Sequence, residues 1–191
     1  MITAREVIAG LYGAFRLARL DRGGARYFDK SLDGFWRSFF AAVIILPLYI
    51  VLLALRFGEP GLTQHPFRYL SIEMIAYVTA WVAFPLAALP LARALDKEDR
   101  YLGFIVAYNW ASVLQNALYL PIAMIVVTQL LPASGANFIS FVALGFIMAY
   151  TWFIARVMLD VSAGIAVAVV GMDLVLSILI RTFSEGMMRA G

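Results

Sequence analysis

From Phe138 to Ile180 the chain is apolar almost throughout, and this run constrains the fold more than any other feature. A helix crosses the hydrocarbon core of a bilayer in about 20 residues, so the run is roughly twice as long as one crossing needs. We predict two transmembrane helices that turn at ARVMLDVSAG, where Arg156 and Asp160 interrupt the run. The i, i+4 spacing of this pair predicts an ion pair at the membrane interface. A tight turn makes the two helices an antiparallel hairpin.

Three further apolar stretches precede the hairpin, at roughly 37–55, 69–91 and 102–131. The third is longer than one crossing needs, so it is predicted to tilt or to break at Pro121. Pro85 and Pro90 predict a kink or an end in the second. Only 14% of the residues are charged, against about 25% in soluble domains. The predicted fold class is therefore all-α, an integral membrane bundle of five transmembrane helices over residues 37–183, followed by a short tail over 184–191.

Residues 1–36 are predicted to form an amphipathic helix and a polar linker on the cytoplasmic side. Thr3 and Glu6 have the spacing of a capping box, and the residues sharing the apolar face are Val7, Ile8, Leu11, Phe15 and Ala18. Such a pattern is typical of a helix in the lipid headgroup region, and packing against the spans is the alternative. The candidate contacts to lipids or to a partner are Arg5, Arg16, Arg19, Trp36 and Arg37.

The distribution of basic residues predicts the orientation. With the N-terminus inside, eleven of the 15 Lys and Arg residues fall on the cytoplasmic side, in accord with the positive-inside rule. The C-terminus is then on the opposite side. The lack of cysteine, and of a recognisable cleavable leader, fits a bacterial cytoplasmic membrane.

Asp173 is the most informative polar residue, because a carboxylate inside the bilayer is costly unless it has a partner or a function. Counting about 1.5 Å per residue from the cytoplasmic side places it near the midplane, at a depth similar to that of Gln115 and Asn116. Ser177 follows one turn later on the same face. We predict an intramembrane polar cluster of these four residues, either as a clasp between helices or as a proton or cation site.

Other patterns predict less. Arg68 and Glu73 are a candidate ion pair at the outer end of the second span. Gly164, Ala168 and Gly171 form a small-residue face that is expected to pack on the fourth span, which offers Gly145, and dimerisation is the alternative. No phosphate loop, HExxH sequence or nucleophile elbow occurs, so no enzyme activity, cofactor or metal site is predicted. The scattered basic residues do not predict nucleic-acid binding.

The segment YTWFIARVMLDVSAGIAVAVV, from Tyr150 to Val170, resembles the last hairpin of the Yip family of Ypt-interacting protein-like membrane proteins. The layout of about the last 155 residues is also similar to that family. The resemblance implies a cytoplasmic N-terminal segment, five spans and a role in membrane organisation.

Two functions follow as alternatives. The first is a non-enzymatic scaffold or accessory subunit that binds lipids, other membrane proteins or a second copy of itself. The second is a small transporter or channel component that uses Asp173 with Gln115 and Asn116. A water-accessible cavity reaching Asp173 would favour transport, and dry packing around it would favour the scaffold.

Overall fold

The computed structural model describes residues 2–57 and 65–189, without the side chain of Arg189. This part of the chain contains seven α-helices, one short 3₁₀ helix at Arg22–Tyr27 and no β-strand. The α-helices are α1 (Ala4–Ala18), α2 (Leu32–Ser38), α3 (Phe40–Phe57), α4 (Pro66–Ala94), α5 (Glu98–Val127), α6 (Ala133–Met158) and α7 (Ala163–Arg189).

Within residues 2–57 and 65–189, five segments are long and apolar enough to cross a membrane: Leu32–Phe57, Pro66–Ala94, Glu98–Val127, Ala133–Met158 and Ala163–Met188. The predicted all-α fold with five such helices is confirmed, and the chain is a multi-pass membrane protein.

Two predicted boundaries differ from the structure. The first segment begins at Leu32 because the Ser31 hydroxyl accepts a hydrogen bond from the Gly34 amide and caps α2. At the other end, α7 continues through most of the predicted tail, to Arg189. An i, i+4 pair of Arg181 and Glu185 supports this last part of the helix.

Prolines do not interrupt the long helices. α4 continues through Pro85 and Pro90, and α5 continues through Pro121, so of the predicted alternatives the helix end at Pro85 or Pro90 and the break at Pro121 were wrong. In an apolar medium a broken helix exposes unpaired backbone groups that no water can satisfy, which favours continuation. The Pro85 carbonyl also accepts a hydrogen bond of 2.9 Å from the Tyr101 hydroxyl.

α5 is the central helix and packs against α1, α2, α3, α4 and α6. Its first half is enclosed on all sides, as the burial of Phe104, Ile105, Val106 and Ala107 shows. α7 packs instead against α4 and α6. The main hydrophobic core therefore lies in the half of the bundle that α1 contacts, which we call the α1 side.

α1 begins with the predicted capping box of Thr3 and Glu6, and one of its faces packs on the bundle. The buried residues of that face are Gly10, Gly13, Ala14 and Leu17. The predicted apolar face is only partly right, since Ile8 and Phe15 are 67% and 48% exposed. Small residues occupy the contact because they let the helix backbone approach α5, so shape decides the orientation here more than hydrophobicity does.

The predicted hairpin of α6 and α7 is confirmed, with its turn between Met158 and Ala163. The small-residue face was placed wrongly, however. A methyl group added at Gly145, Gly164 or Gly171 would meet no atom within 4 Å, so these glycines do not form the contact. α7 turns Val169 and Val170 inward instead.

Candidate functional site

A cavity of about 1190 Å³ occupies the half of the bundle away from α1 and is lined by α3, α4, α5, α6 and α7. Its lining includes both Tyr108 and Val127 of α5, which are 19 positions apart. At 1.5 Å per residue the cavity extends about 28 Å along the bundle, close to the thickness of a hydrocarbon core. The cavity is partly open to the surface of the bundle, so it is a cleft between the helices and not an enclosed packing void.

Asp173 lies at the base of the cavity, near its end on the α1 side, and not halfway along its length as the predicted midplane position requires. Its Oδ1 accepts a hydrogen bond of 2.7 Å from the Tyr108 hydroxyl, and this bond joins α7 to α5. Phe84 stacks on the Tyr108 ring at 4.2 Å and also contacts Phe104, with ring centres 5.9 Å apart. These aromatic side chains close the base, and the buried core continues beneath them.

The other members of the predicted polar cluster line the same cavity but do not bond to Asp173. Gln115 donates to the Thr151 hydroxyl of α6 at 2.9 Å. Asn116 donates to the Ser112 carbonyl of its own helix at 2.8 Å, and Ser177 is exposed to the cavity. The predicted pairing of Asp173 with the two amides was wrong. The cavity lies between much of α7 and α5, and the longer Tyr108 side chain reaches the Asp173 carboxylate.

A second acid lies in the cavity wall. Glu73 is 7% exposed, and its carboxylate accepts a hydrogen bond of 2.7 Å from the Tyr49 hydroxyl of α3. The Tyr49 ring stacks on Tyr77 at 4.7 Å. The predicted pair of Glu73 with Arg68 does not form, because Arg68 points outward and donates to the Met187 carbonyl of α7.

Charged side chains line the end of the cavity farthest from α1. Arg56 lies there near the end of α3, and Arg181 forms its ion pair with Glu185 on α7. Among the charged residues of the described chain that line the cavity, acids outnumber bases by three to two: Glu73, Asp173 and Glu185 against Arg56 and Arg181.

Sequence reasoning did not select Tyr49 or Tyr108 as functional residues. A signal for Tyr108 was present, because Tyr108, Ser112, Gln115 and Tyr119 recur at helical spacing on one face of α5, and all four line the cavity. No local pattern marks Tyr49, whose partner is 24 residues away on another helix. Within residues 2–57 and 65–189, no group of three His, Asp or Glu side chains could hold a metal ion.

The predicted pair of Arg156 and Asp160 does not form. Asp160 follows the end of α6 with a φ of 53°, so the two side chains do not share a helix face. The Asp160 carboxylate lies 3.4 Å from the Arg100 guanidinium, in the first turn of α5. It lies 3.9 Å from the side-chain nitrogen of Lys97, the residue just before α5. The Arg156 guanidinium lies over the Trp152 ring instead.

The five predicted contacts to lipids or to a partner divide into two groups. Arg16 pairs with Asp21, and Arg37 pairs with both Glu6 and Asp29, so these two arginines fasten the N-terminal segment together. The others, Arg5, Arg19 and Trp36, are exposed.

Three acids of this segment have lowered pKa values. Hydrogen bonds from Thr3 hold the pKa of the Glu6 carboxyl below its usual value. The Arg16 side chain does the same for the pKa of Asp21, and hydrogen bonds from Ser31 lower the pKa of Asp29. A carboxyl whose pKa is lowered on folding stabilises the fold above its ordinary pKa, and this contribution is lost as the pH falls through the lowered value.

We therefore expect the N-terminal segment to stay fastened at neutral pH and to loosen below about pH 4. The measurement is the mobility of a nitroxide on the variant Arg26→Cys, in the 3₁₀ helix, at pH 7 and at pH 3. Glu6→Gln should raise the pH at which mobility increases, whereas Asp33→Asn, at an exposed acid, should not. Equal mobility at both pH values in the otherwise unchanged chain would contradict the expectation.

Comparison of the chain with protein-family models, with curated proteins and with solved structures gave no match. The described part of the chain defines the class, which is a multi-pass membrane protein with five candidate spans around a largely apolar cavity that contains a few charged side chains.

Proposed function

We propose that this protein is a small membrane transporter or channel component whose solute, a proton or a small cation, enters the cavity and reaches Asp173. The observation that carries the proposal is the cavity itself, which extends from the far ends of α3 and α5 to the Asp173 carboxylate. A cleft of this size leaves room for a solute between the helices.

The acids in the cavity lining support a cationic solute. An acid lies at the base and another in the wall, and each accepts a hydrogen bond from a tyrosine. Arg181, one of the two lining arginines, is paired with Glu185. Intramembrane carboxylates that face a hydrated cavity are characteristic of ion and proton pathways.

The closed base favours a gated mechanism over an open pore. The Asp173 and Tyr108 bond, with Phe84 stacked on Tyr108, lies between the cavity and the buried core on the α1 side. A solute reaching Asp173 competes with the Tyr108 hydroxyl for the carboxylate. When the Tyr108 hydroxyl is released, the stacked rings of Tyr108 and Phe84 are free to move. A passage to the other side of the membrane then opens at the base of the cavity.

Flux through reconstituted liposomes tests the proposal. Protons are followed with an internal pH-sensitive dye, and radioactive sodium and rubidium serve as small cations. We expect the unchanged protein to give a flux above that of empty liposomes for at least one of these ions, and Asp173→Asn to reduce it to background. Asp160→Asn is the matched control, because that carboxylate is 65% exposed and lies outside the cavity.

Two results would overturn the proposal. One is a flux no greater than that of empty liposomes for all three ions. The other is an equal flux from the unchanged protein and from Asp173→Asn, because the carboxylate then plays no part.

The second candidate function is a scaffold or accessory subunit in membrane organisation, as the resemblance to the Yip family implies. It is favoured by the small-residue face of Gly164, Ala168 and Gly171, which no other helix of the described chain covers. A pull-down in mild detergent followed by mass spectrometry tests it. A stable larger complex that is lost when Gly164 and Gly171 are replaced by leucine would support the scaffold, and a monomeric protein would count against it.

A further inference from the structure

The outer face of α1 is apolar and basic at once. Ile8, Tyr12 and Phe15 are 67%, 48% and 48% exposed, and Arg5 and Arg19 flank them. The spacing of these five residues places them on one side of the helix, opposite Gly10. The Arg19 guanidinium lies over the Phe15 ring at 5.7 Å, so the stripe combines an aromatic surface with a cation.

α1 crosses the bundle instead of running along it. Glu6 pairs with Arg37 at the end of α2, Gly10 lies against the Trp110 ring of α5, and the Ala14 carbonyl accepts a hydrogen bond from Tyr150 of α6. Three different helices are thus contacted in succession within eight positions of α1. A helix parallel to the spans would keep the same neighbours over that length, so α1 lies transverse to them.

The contacts of α1 with Trp110 and Tyr150 lie about one hydrocarbon-core thickness from the opposite end of the bundle. Trp110 is 17 positions from the end of α5 at Val127, and Tyr150 is 17 positions from the start of α6 at Ala133. Each interval corresponds to about 26 Å, close to the roughly 30 Å of a hydrocarbon core. α3, the apolar part of the first span, has 18 residues and begins just after Arg37. Trp36, next to Arg37 in the chain, is exposed, and tryptophan is enriched at membrane interfaces.

From this position we propose that the outer face of α1 docks into the anionic headgroup region of one leaflet. The apolar side chains would enter the boundary of the acyl chains, and Arg5 and Arg19 would reach the phosphates, as in interfacial amphipathic helices. The division of the arginines fits this role, because Arg16 and Arg37 are already paired within the chain whereas Arg5 and Arg19 point away from it. Docking of α1 does not depend on what the cavity carries.

Spin labels test the docking directly. The chain has no cysteine, so Ile8→Cys and Phe15→Cys each introduce a single attachment site. In nanodiscs of phosphatidylcholine with phosphatidylglycerol, the accessibility of each label to oxygen and to a water-soluble nickel chelate reports its surroundings. Val175→Cys, on the exposed apolar face of α7, is the lipid-facing reference, and Asp99→Cys, at the exposed start of α5, is the water-facing one.

We expect labels at positions 8 and 15 to resemble the label at Val175, with high oxygen and low nickel accessibility. Replacing Arg5 and Arg19 by glutamine should shift the label at position 15 toward the values at Asp99. Nanodiscs of phosphatidylcholine alone should produce the same shift. Labels that resemble Asp99 from the start, or that neither reagent reaches, would overturn the docking. Accessibility that is unaffected by the two arginines and by lipid charge would overturn the selectivity for anionic lipid.

Discussion

Replacing Trp110 by alanine is expected to cost about 3–5 kcal/mol of the free energy of unfolding. The Trp110 side chain is 4% exposed, belongs to the central helix and fills the space between α5 and Gly10 of α1. Its removal leaves a cavity and takes away the surface on which α1 rests. The measurement is unfolding in mild detergent by increasing amounts of a denaturing detergent, followed by far-ultraviolet circular dichroism.

Trp36→Ala is the matched control for this prediction. Trp36 is 65% exposed and contacts the Phe35 ring edge-on at 5.2 Å, so its loss should cost only about 1 kcal/mol. Limited trypsin digestion supplies a second readout, since the Trp110 variant should be cut faster at the arginines between α1 and α2. Similar unfolding curves for the two variants would mean that α1 is not held at Trp110.

Tyr49→Phe is expected to cost about 1–3 kcal/mol, because it removes the hydroxyl that donates to the Glu73 carboxylate. Glu73 is buried in the cavity wall, and an acid in that position loses solvation that only a donor can replace. Phenylalanine keeps the ring that stacks on Tyr77, so the change isolates the hydrogen bond. The free energy of unfolding is measured as for the tryptophan variants.

A double-mutant cycle with Glu73→Gln separates this bond from other effects. Once the charge is removed, Tyr49→Phe should cost clearly less, giving a coupling energy on the order of 1 kcal/mol. Tyr119→Phe is the control, because that residue also lines the cavity but is 40% exposed. Strictly additive effects of the two changes would show that the hydroxyl and the carboxylate do not depend on each other.

Hydropathy and local signals predicted most of the secondary structure. The five long helices, the turn between Met158 and Ala163 and the capping box at Thr3 were all predicted from the residues alone. The errors concern contacts between helices. Asp173, Glu73 and Asp160 each have partners other than the nearest candidates in sequence or in counted depth.

The physical reason is that a sequence pattern acts within one helix, whereas contacts between helices depend on several segments at once. A long apolar run by itself favours lipid surroundings and a helical backbone, because in lipid the backbone groups have no partners except those within the helix. It follows that the sequence alone determined an all-α membrane bundle and the presence of costly acids within it. Which helix faces which depends on how side-chain shapes interlock across the bundle. Tertiary structure alone therefore decided that Tyr108 bridges to Asp173, that small residues seat α1 against Trp110, and that a cavity separates α5 from α7.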